Sequence, residues 1–351
     1  MQTRTLSEAN LDAEIFTAPI VAAEMRRMLD TRREAIAAIA RGIAARKPER
    51  LLFFGSGGSS SALYSGYWAG LNLLDLSVDY LLSPDIVSAR PPILNDRTVA
   101  IGASYSGKTV DTMAAKRLID EAKVPLLAVT RYANAELAKG AAWSVTYESR
   151  ALYSSPALLT MLLVVELARA LDRWSPEVEA FERALEESPR VIEGIAAVSR
   201  QLGEEHASKL DRDHLLVLAG GAAYMLAYMM TFDMFGEYLK QYASFIHYGE
   251  FRHGPLETVR KGHPSMMFLL GNDRSRRFGE ETLNFARRNG AETFVFDARE
   301  LAPQAHPLLD ALVLYPSQLW LLYAAACQRD LDLNHYHYMH VTPYTEGDTF
   351  F

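Results

Sequence analysis

An α/β fold made of two copies of one plan is what this sequence predicts, and three observations predict it. Apolar runs that end in glycine- or hydroxyl-rich loops alternate with helical periodicity, as in a parallel sheet covered by helices. His214 through Ala223, an apolar run ending in paired glycines, echoes Leu51 through Ser60. Ser265 to Leu270, followed by Gly271-Asn272-Asp273-Arg274-Ser275-Arg276, echoes the strand and loop from Thr98 to Thr109. Chance likeness between α/β units is the competing explanation of the repeat.

Taken in order, residues 1–48 read as helix, with apolar residues at three- and four-residue spacing over Glu14 to Met28 and Arg32 to Ala45. A first domain, 49–175, begins with the strand Leu51 to Phe54. The loop Gly55-Ser56-Gly57-Gly58-Ser59-Ser60-Ser61 follows, then a helix carrying Tyr67 and Trp68. Thr98 to Ala103 is a second strand, and Ser104-Tyr105-Ser106-Gly107-Lys108-Thr109 leads from it into a helix from Val110 to Glu121. Pro125 to Thr130 is a further strand, and a helix from Ala157 to Leu171 closes the domain. Pro176, the acidic stretch Glu177 to Glu187 and Pro189 mark a junction. In the second domain, 190–330, a helix starting near Tyr224 carries Glu237, and Glu292 to Phe296 is a strand. Residues 331–351 form a tail.

The bulk properties exclude several classes. The chain has 351 residues, enough for two domains, and 49% of them are apolar, which argues against disorder. A net charge of −7 with no basic block argues against a nucleic-acid surface. The single cysteine, Cys327, excludes an internal disulfide and points to a reducing compartment. No apolar run reaches membrane-spanning length and the N-terminus lacks a signal-peptide core, so a cytoplasmic protein without a membrane partner is expected.

Chemistry concentrates in two places. Ser104, Ser106, Gly107 and Thr109 put hydroxyls and amide groups at a helix start, which suits an anion such as phosphate; ordinary helix capping explains the same pattern. From Glu237 to Glu257, ionisable groups crowd an apolar context broken by Gly249 and Gly254-Pro255. Glu237 on a mostly apolar helix is a candidate base and His253 in the Gly/Pro loop a candidate acid, against the alternative of a surface helix and a solvated loop. His247 reads as a packing or orienting group, and Glu250 and Glu257 as loop-ordering ones. Lys108 could pair with phosphate or face solvent. Asp273, Arg274 and Arg276 could grip a charged substituent or form a salt-bridged loop. His335, His337 and His340 alternate with tyrosines and have no Cys or Asp partner, a poor zinc pattern, so no metal is expected.

Gly57-Gly58-Ser59, Ser104-x-Ser106-Gly107-x-Thr109 and Gly249-Glu250-Phe251-x-His253-Gly254-Pro255-Leu256 together resemble the double sugar isomerase (SIS) domain family. That group includes the isomerase half of glucosamine-6-phosphate synthase and the fructosamine-6-phosphate deglycases. The resemblance spans about residues 30–345. It implies two SIS domains, each a flavodoxin-like three-layer sandwich, with phosphate on Ser104, Ser106, Gly107 and Thr109 and the sugar near Gly57, Gly58, Ser59 and Ser154. It makes Glu237 the base that moves the C1/C2 proton and His253 the residue that opens the ring or serves as general acid, reaching the neighbouring subunit's site in a homodimer. No cofactor is implied. Ser154-Ser155-Pro156 stands where the synthase and deaminase branch has Ser-Thr-Lys, and the tail from Tyr338 to Tyr344 resembles the deglycase ending, with Val341 in place of its lysine. A deglycase acting on 6-phosphorylated ketosamines is therefore expected, with tail closure over the site. The alternatives are a glucosamine-6-phosphate deaminase, a phosphosugar aldose–ketose isomerase, or a non-catalytic sugar-phosphate sensor.

Overall fold

A computed structural model describes residues 5–210, 215–339, 341–342 and 344; the expectations for His214, His340 and Pro343 lie outside them. The chain divides into two compact units, residues 22–189 and residues up to 21 together with those from 190 onward. It opens with α1 (Leu6–Leu11), started by a reciprocal cap between Thr5 and Glu8. Next comes α2 (Val21–Ala44), one helix where the periodicity suggested two; Glu14 to Thr17, expected as helix, are not helical, and Pro19 sits in a 3-10 turn, Ala18–Ile20, that leads into it. Leu29-Asp30-Thr31 contains no glycine or proline, so nothing stops the helix there.

In the unit of residues 22–189, β1 (Arg50–Gly55), β2 (Ser77–Leu82), β3 (Thr98–Ser104), β4 (Leu126–Thr130) and β5 (Trp143–Thr146) form a parallel sheet in the order β2-β1-β3-β4-β5. Its helices are α3 (Gly57–Leu73), α4 (Ser83–Ala89), α5 (Val110–Glu121), α6 (Ser154–Ala170) and α7 (Pro176–Gly194). Successive β1 side chains point to opposite faces. Leu52 and Phe54 join Ile86 of α4 and Ala115 and Ile119 of α5 in one core. Phe53 faces α3, where a side chain on Gly66 would come within 3.1 Å of its ring and 2.5 Å of Thr160 on α6. Helices therefore cover both faces, and β3 and β4 are buried along their whole length. The edge strands β2 and β5 escaped the sequence reading because they are only partly buried and carry little apolar run. The acidic stretch of the expected junction is helical: Val178, Phe181 and Leu185, at three- and four-residue spacing, are fully buried. The boundary between the units falls after Pro189, inside α7.

The other unit contains α8 (Ala196–Ala207), β6 (Leu215–Ala219), α9 (Tyr224–Met229), β7 (Ala243–His247), β8 (Ser265–Leu270), α10 (Arg276–Arg288), β9 (Glu292–Asp297), α11 (Ala298–Leu301) and α12 (Asp310–Gln328). Its parallel sheet has the order β7-β6-β8-β9, the first sheet's order without a fifth strand. Among the described residues, Pro307–Gln328 is the one helical stretch long and apolar enough to cross a membrane, and 89% of its apolar window is buried inside the protein. It packs on α8 so closely that a side chain on Gly203 would meet the Leu321 backbone at 2.6 Å.

Candidate active site

In each sheet the chain order reverses beside the first strand, at β1/β3 and again at β6/β8. The crevice at the carboxyl ends of such a pair is where open α/β sheets hold ligands. In the first sheet, the loops after β1 and β3 meet there, and the Tyr105 N–H donates to Ser59 Oγ at 3.0 Å. Ser104, almost fully buried, pairs its hydroxyl with that of Thr109 at 2.9 Å and accepts the Gly107 N–H at 3.0 Å. Lys108 N–H donates to Ser106 Oγ at 3.3 Å. Gly107 has φ +71°, and a side chain on it would lie 2.3 Å from Ala135 Cβ. This turn requires glycine for both reasons. Thr109 stands at the N-cap of α5, yet its hydroxyl makes no capping bond. The capping explanation therefore fails for Thr109, whose side chain leaves the first amide groups of α5 uncapped.

Gly57, with φ +55°, and Gly58 open α3 next to this loop pair, and Gly57, Gly58 and Ser59 are partly exposed. Ser154, by contrast, is fully buried in the first turn of α6, and its hydroxyl and that of Ser155 have no hydrogen-bond partner. Ser106 and Lys108 are exposed. The sequence reading missed Arg131, just past β4. Its guanidinium donates to the Tyr105 hydroxyl and lies over the rings of Tyr105 and Tyr132 at 4.8 and 5.0 Å.

The second sheet uses the same crevice differently. Asp273 folds back into it, accepting the Ala222 N–H at 2.9 Å and the Ser275 N–H at 2.8 Å. Arg276 is held by both carboxylate oxygens of Asp297 at 2.6 and 2.8 Å, by Glu280 at 2.6 Å and by Gly271 O at 3.0 Å. Of the two open readings of this loop, the salt-bridged one holds for Arg276. His247 is a packing group: its Nδ1 accepts the Gly249 N–H at 3.1 Å and its ring meets Tyr224 edge-on and Tyr248 at a tilt.

Helix α9 widens into a π-helical segment over Met230–Tyr238. The Leu239 N–H reaches back five residues to Met234 O at 3.1 Å. Wide turns of this kind are frequent at functional sites. Glu237 lies in the last turn and lines a cavity of about 690 Å³ together with Asp233, Phe232, Lys240, Tyr242 and Tyr336. Burial raises the Glu237 pKa above the usual carboxylate value, opposed by a hydrogen bond from Tyr238 and by the Lys240 charge. Asp233, which the sequence reading did not single out, is pushed up to about 8 by burial and then by the neighbouring charge of Glu237. Lys240 Nζ donates to the carbonyls of Glu237, Tyr238 and His335 at 2.9, 3.3 and 2.6 Å. Asn10 clasps the same tail, donating to Leu331 O at 2.8 Å and accepting the Leu333 N–H at 2.9 Å. Residues 336–339 thereby form part of the cavity wall over Glu237.

His253 is exposed, and it is not among the described residues that line this cavity. Its loop is pegged by the buried rings of Tyr248 and Phe251. The Tyr248 hydroxyl donates to Leu269 O and the Thr282 hydroxyl to Tyr248 O. Gly254, at φ +126°, turns the chain directly after the histidine. Glu250 and Glu257 are exposed on the same loop. No cluster of three or more potential metal ligands occurs among the described residues.

No family model matches the chain. It is 28% identical over 299 residues to the fructoselysine 6-phosphate deglycase of Escherichia coli (strain K12), spanning 84% of this chain and 86% of that protein. The similarity runs to sugar-phosphate deglycases. The fructosamine deglycase of Bacillus subtilis (strain 168) is 23% identical over 257 residues, 71% of this chain and 77% of that one. A crystal structure of a candidate phosphosugar isomerase from Salmonella typhimurium LT2 superposes with a TM-score of 0.81 at 21% identity, over 90% of this chain and 97% of that one. That likeness establishes the shared fold.

Proposed function

We propose that this chain is an enzyme of the SIS type that deglycates 6-phosphorylated ketosamines, releasing an amine or amino acid and a hexose 6-phosphate. The observation that carries the reading is Glu237, a carboxylate made more basic by burial and set in the wall of a cavity large enough for a sugar. Similarity to fructoselysine 6-phosphate and fructosamine deglycases supports the substrate class. The hydroxyl and amide cradle of Ser104, Ser106, Gly107 and Thr109 supports the phosphate requirement, with Ser59 and the Gly57-Gly58 turn beside it.

In this reading, phosphate binding supplies energy from a part of the substrate that does not react. Glu237 takes the C1 proton to give an enaminol and returns it to C2, leaving an imine between C1 and nitrogen. Water adds to C1, the C1–N bond breaks, and amine and hexose 6-phosphate leave. His253 opens the sugar ring. Because it is exposed and is not among the described residues lining the Glu237 cavity, the reading takes the enzyme as a homodimer in which His253 serves the partner's site. Two SIS domains, 49–175 and 190–330, and a cytoplasmic setting belong to the same reading.

Incubation of the purified protein with fructosamine 6-phosphates and with glucosamine 6-phosphate, reading free amine and hexose phosphate, tests it. Deglycation that disappears in Glu237→Gln is the expected result. Turnover of glucosamine 6-phosphate alone would move the assignment to deamination or isomerisation, and binding without turnover of either would move it to a sensor.

A further inference from the structure

Glu237 accounts for the proton that moves between carbons, but the same reaction needs a second proton to move between heteroatoms. The C2 carbonyl oxygen gains a proton as the enaminol forms, and the nitrogen loses one as the imine forms. Resting on the function proposed above, we infer that Asp233 carries this second proton, one π-helical turn from Glu237 in the wall of the same cavity. Its carboxyl group gives its proton to the C2 oxygen while Glu237 takes the C1 proton. It then takes a proton from nitrogen while Glu237 protonates C2. Both side chains return to their starting states, and no further acid or base is consumed.

The geometry favours Asp233. Among the described residues the cavity lining carries the carboxyl groups of Asp233 and Glu237, the Lys240 ammonium, which is committed to three backbone carbonyls, the His337 imidazole and the hydroxyls of Tyr242, Tyr336 and Tyr338; of these, Asp233 alone shares the π-helical segment with Glu237. The other titratable groups with an electrostatic influence at Asp233 are Tyr238 on its own segment and Tyr315 on α12. Tyr315 is buried against Thr17, with their hydroxyls 3.5 Å apart, and Tyr238 pairs with the Tyr336 hydroxyl at 3.4 Å. Two carboxyls close together do not both ionise readily, so one of the pair keeps a proton at neutral pH. Burial places that proton on Asp233.

The test compares Asp233→Asn, Asp233→Glu and Glu237→Gln as full-length proteins, using fructosamine 6-phosphate turnover from pH 5.5 to 9.5 and hexose 6-phosphate binding. Asp233→Asn is expected to lower kcat by about 10²- to 10⁴-fold and to abolish the alkaline fall in kcat. Binding stays within about twofold, and Asp233→Glu recovers part of the rate and the alkaline limb. Asp233→Asn with a normal rate and an unchanged pH profile, while Glu237→Gln is inactive, overturns the inference and leaves the function standing. If Glu237→Gln is also fully active, the proposed function itself is wrong. Loss of hexose 6-phosphate binding in both Asp233 variants would also overturn the inference, since it would assign Asp233 to the architecture of the cavity.

Discussion

Gly107→Ala isolates the proposed phosphate loop from the rest of the machinery. Gly107 has φ +71°, a region that costs an L residue roughly 1–2 kcal/mol. The added methyl would also lie 2.3 Å from Ala135 Cβ, so the two must separate to roughly 3.6 Å, an ordinary carbon contact. A shift of that size breaks the bonds Gly107 makes, from its N–H to Ser104 Oγ and from Leu137 N–H to its carbonyl. Each is worth about 0.5–1.5 kcal/mol. The native loop geometry thus costs the variant about 2–5 kcal/mol, less than a typical domain's stability of about 5–15 kcal/mol, so the loop moves and the unit stays folded. Binding must then pull the loop back. Even the lower bound weakens affinity about 30-fold, at 1.4 kcal/mol per factor of ten. Calorimetric titration with a hexose 6-phosphate, with the unphosphorylated hexose as control, measures this directly. Unchanged affinity for the phosphorylated sugar in a folded Gly107→Ala protein would refute the cradle.

Two further outcomes follow from charge and burial. Because the Glu237 pKa is raised, the base is lost as pH falls through a value above the ordinary carboxylate range, so the acid limb of the kcat profile begins early. Lys240→Met removes an opposing charge and moves that limb to still higher pH; a limb that stays put in the variant argues against Glu237 as the titrating base. Asp310, nearly fully buried, has its pKa raised from 3.8 to about 8, with one oxygen accepting the Asn272 N–H at 2.5 Å and the other unpartnered. The folded state binds this proton more tightly than the unfolded chain. Its stabilisation is complete below about pH 4 and fades as pH rises toward 8, by up to about 1.4 kcal/mol per pH unit. Urea unfolding at pH 5 and 7.5 reads the slope, which shrinks in Asp310→Asn; an identical slope in the variant contradicts the assignment. Asp297, whose pKa is lowered by Arg276, acts below this window and does not cancel it.

Where a single helix or strand dictates its own pattern, the sequence was legible. The helix Val110–Glu121 and the strand Ser265–Leu270 match their predicted bounds because each has sharp punctuation and one buried face or a wholly apolar run. The edge strands β2, β5 and β7 were not legible, since partial burial leaves no run to read. Ser104 and Thr109 suited either an anion cradle or a helix cap by residue type, and only the direction of the Thr109 hydroxyl, turned to Ser104, removes the cap at Thr109. Asp233 had no local signal at all. An acid four residues before Glu237 on a regular helix is commonplace, and only the cavity and the widened π-helical turn give it meaning. Arg131 was invisible for a similar reason: its role depends on Tyr105, 26 residues away.

The contrast between the two switch points explains why the repeat kept its glycines and lost its hydroxyls. In the second copy, Gly220 and Gly221 cannot carry side chains. One would strike the Tyr248 ring at 2.5 Å, and the other would strike the Asp273 carboxylate at 1.7 Å, at φ +57°. The amide groups that such a turn presents still need an acceptor. Asp273 supplies it from within the chain, bonding Ala222 and Ser275, and Asp310 does the same for Asn272. Where the first copy has Ser59 and Ser60, Ala222 and Ala223 stand, while Ser275 remains in the Asp273 loop and gives that carboxylate its N–H. In the first copy no carboxylate is seen folding into the cradle among the described contacts, and the hydroxyls of Ser59, Ser104, Ser106 and Thr109 remain. The second half therefore meets its loop amides with its own carboxylates, Asp273 and Asp310, whereas the proposed function assigns the matching place in the first half to the phosphate of a ligand.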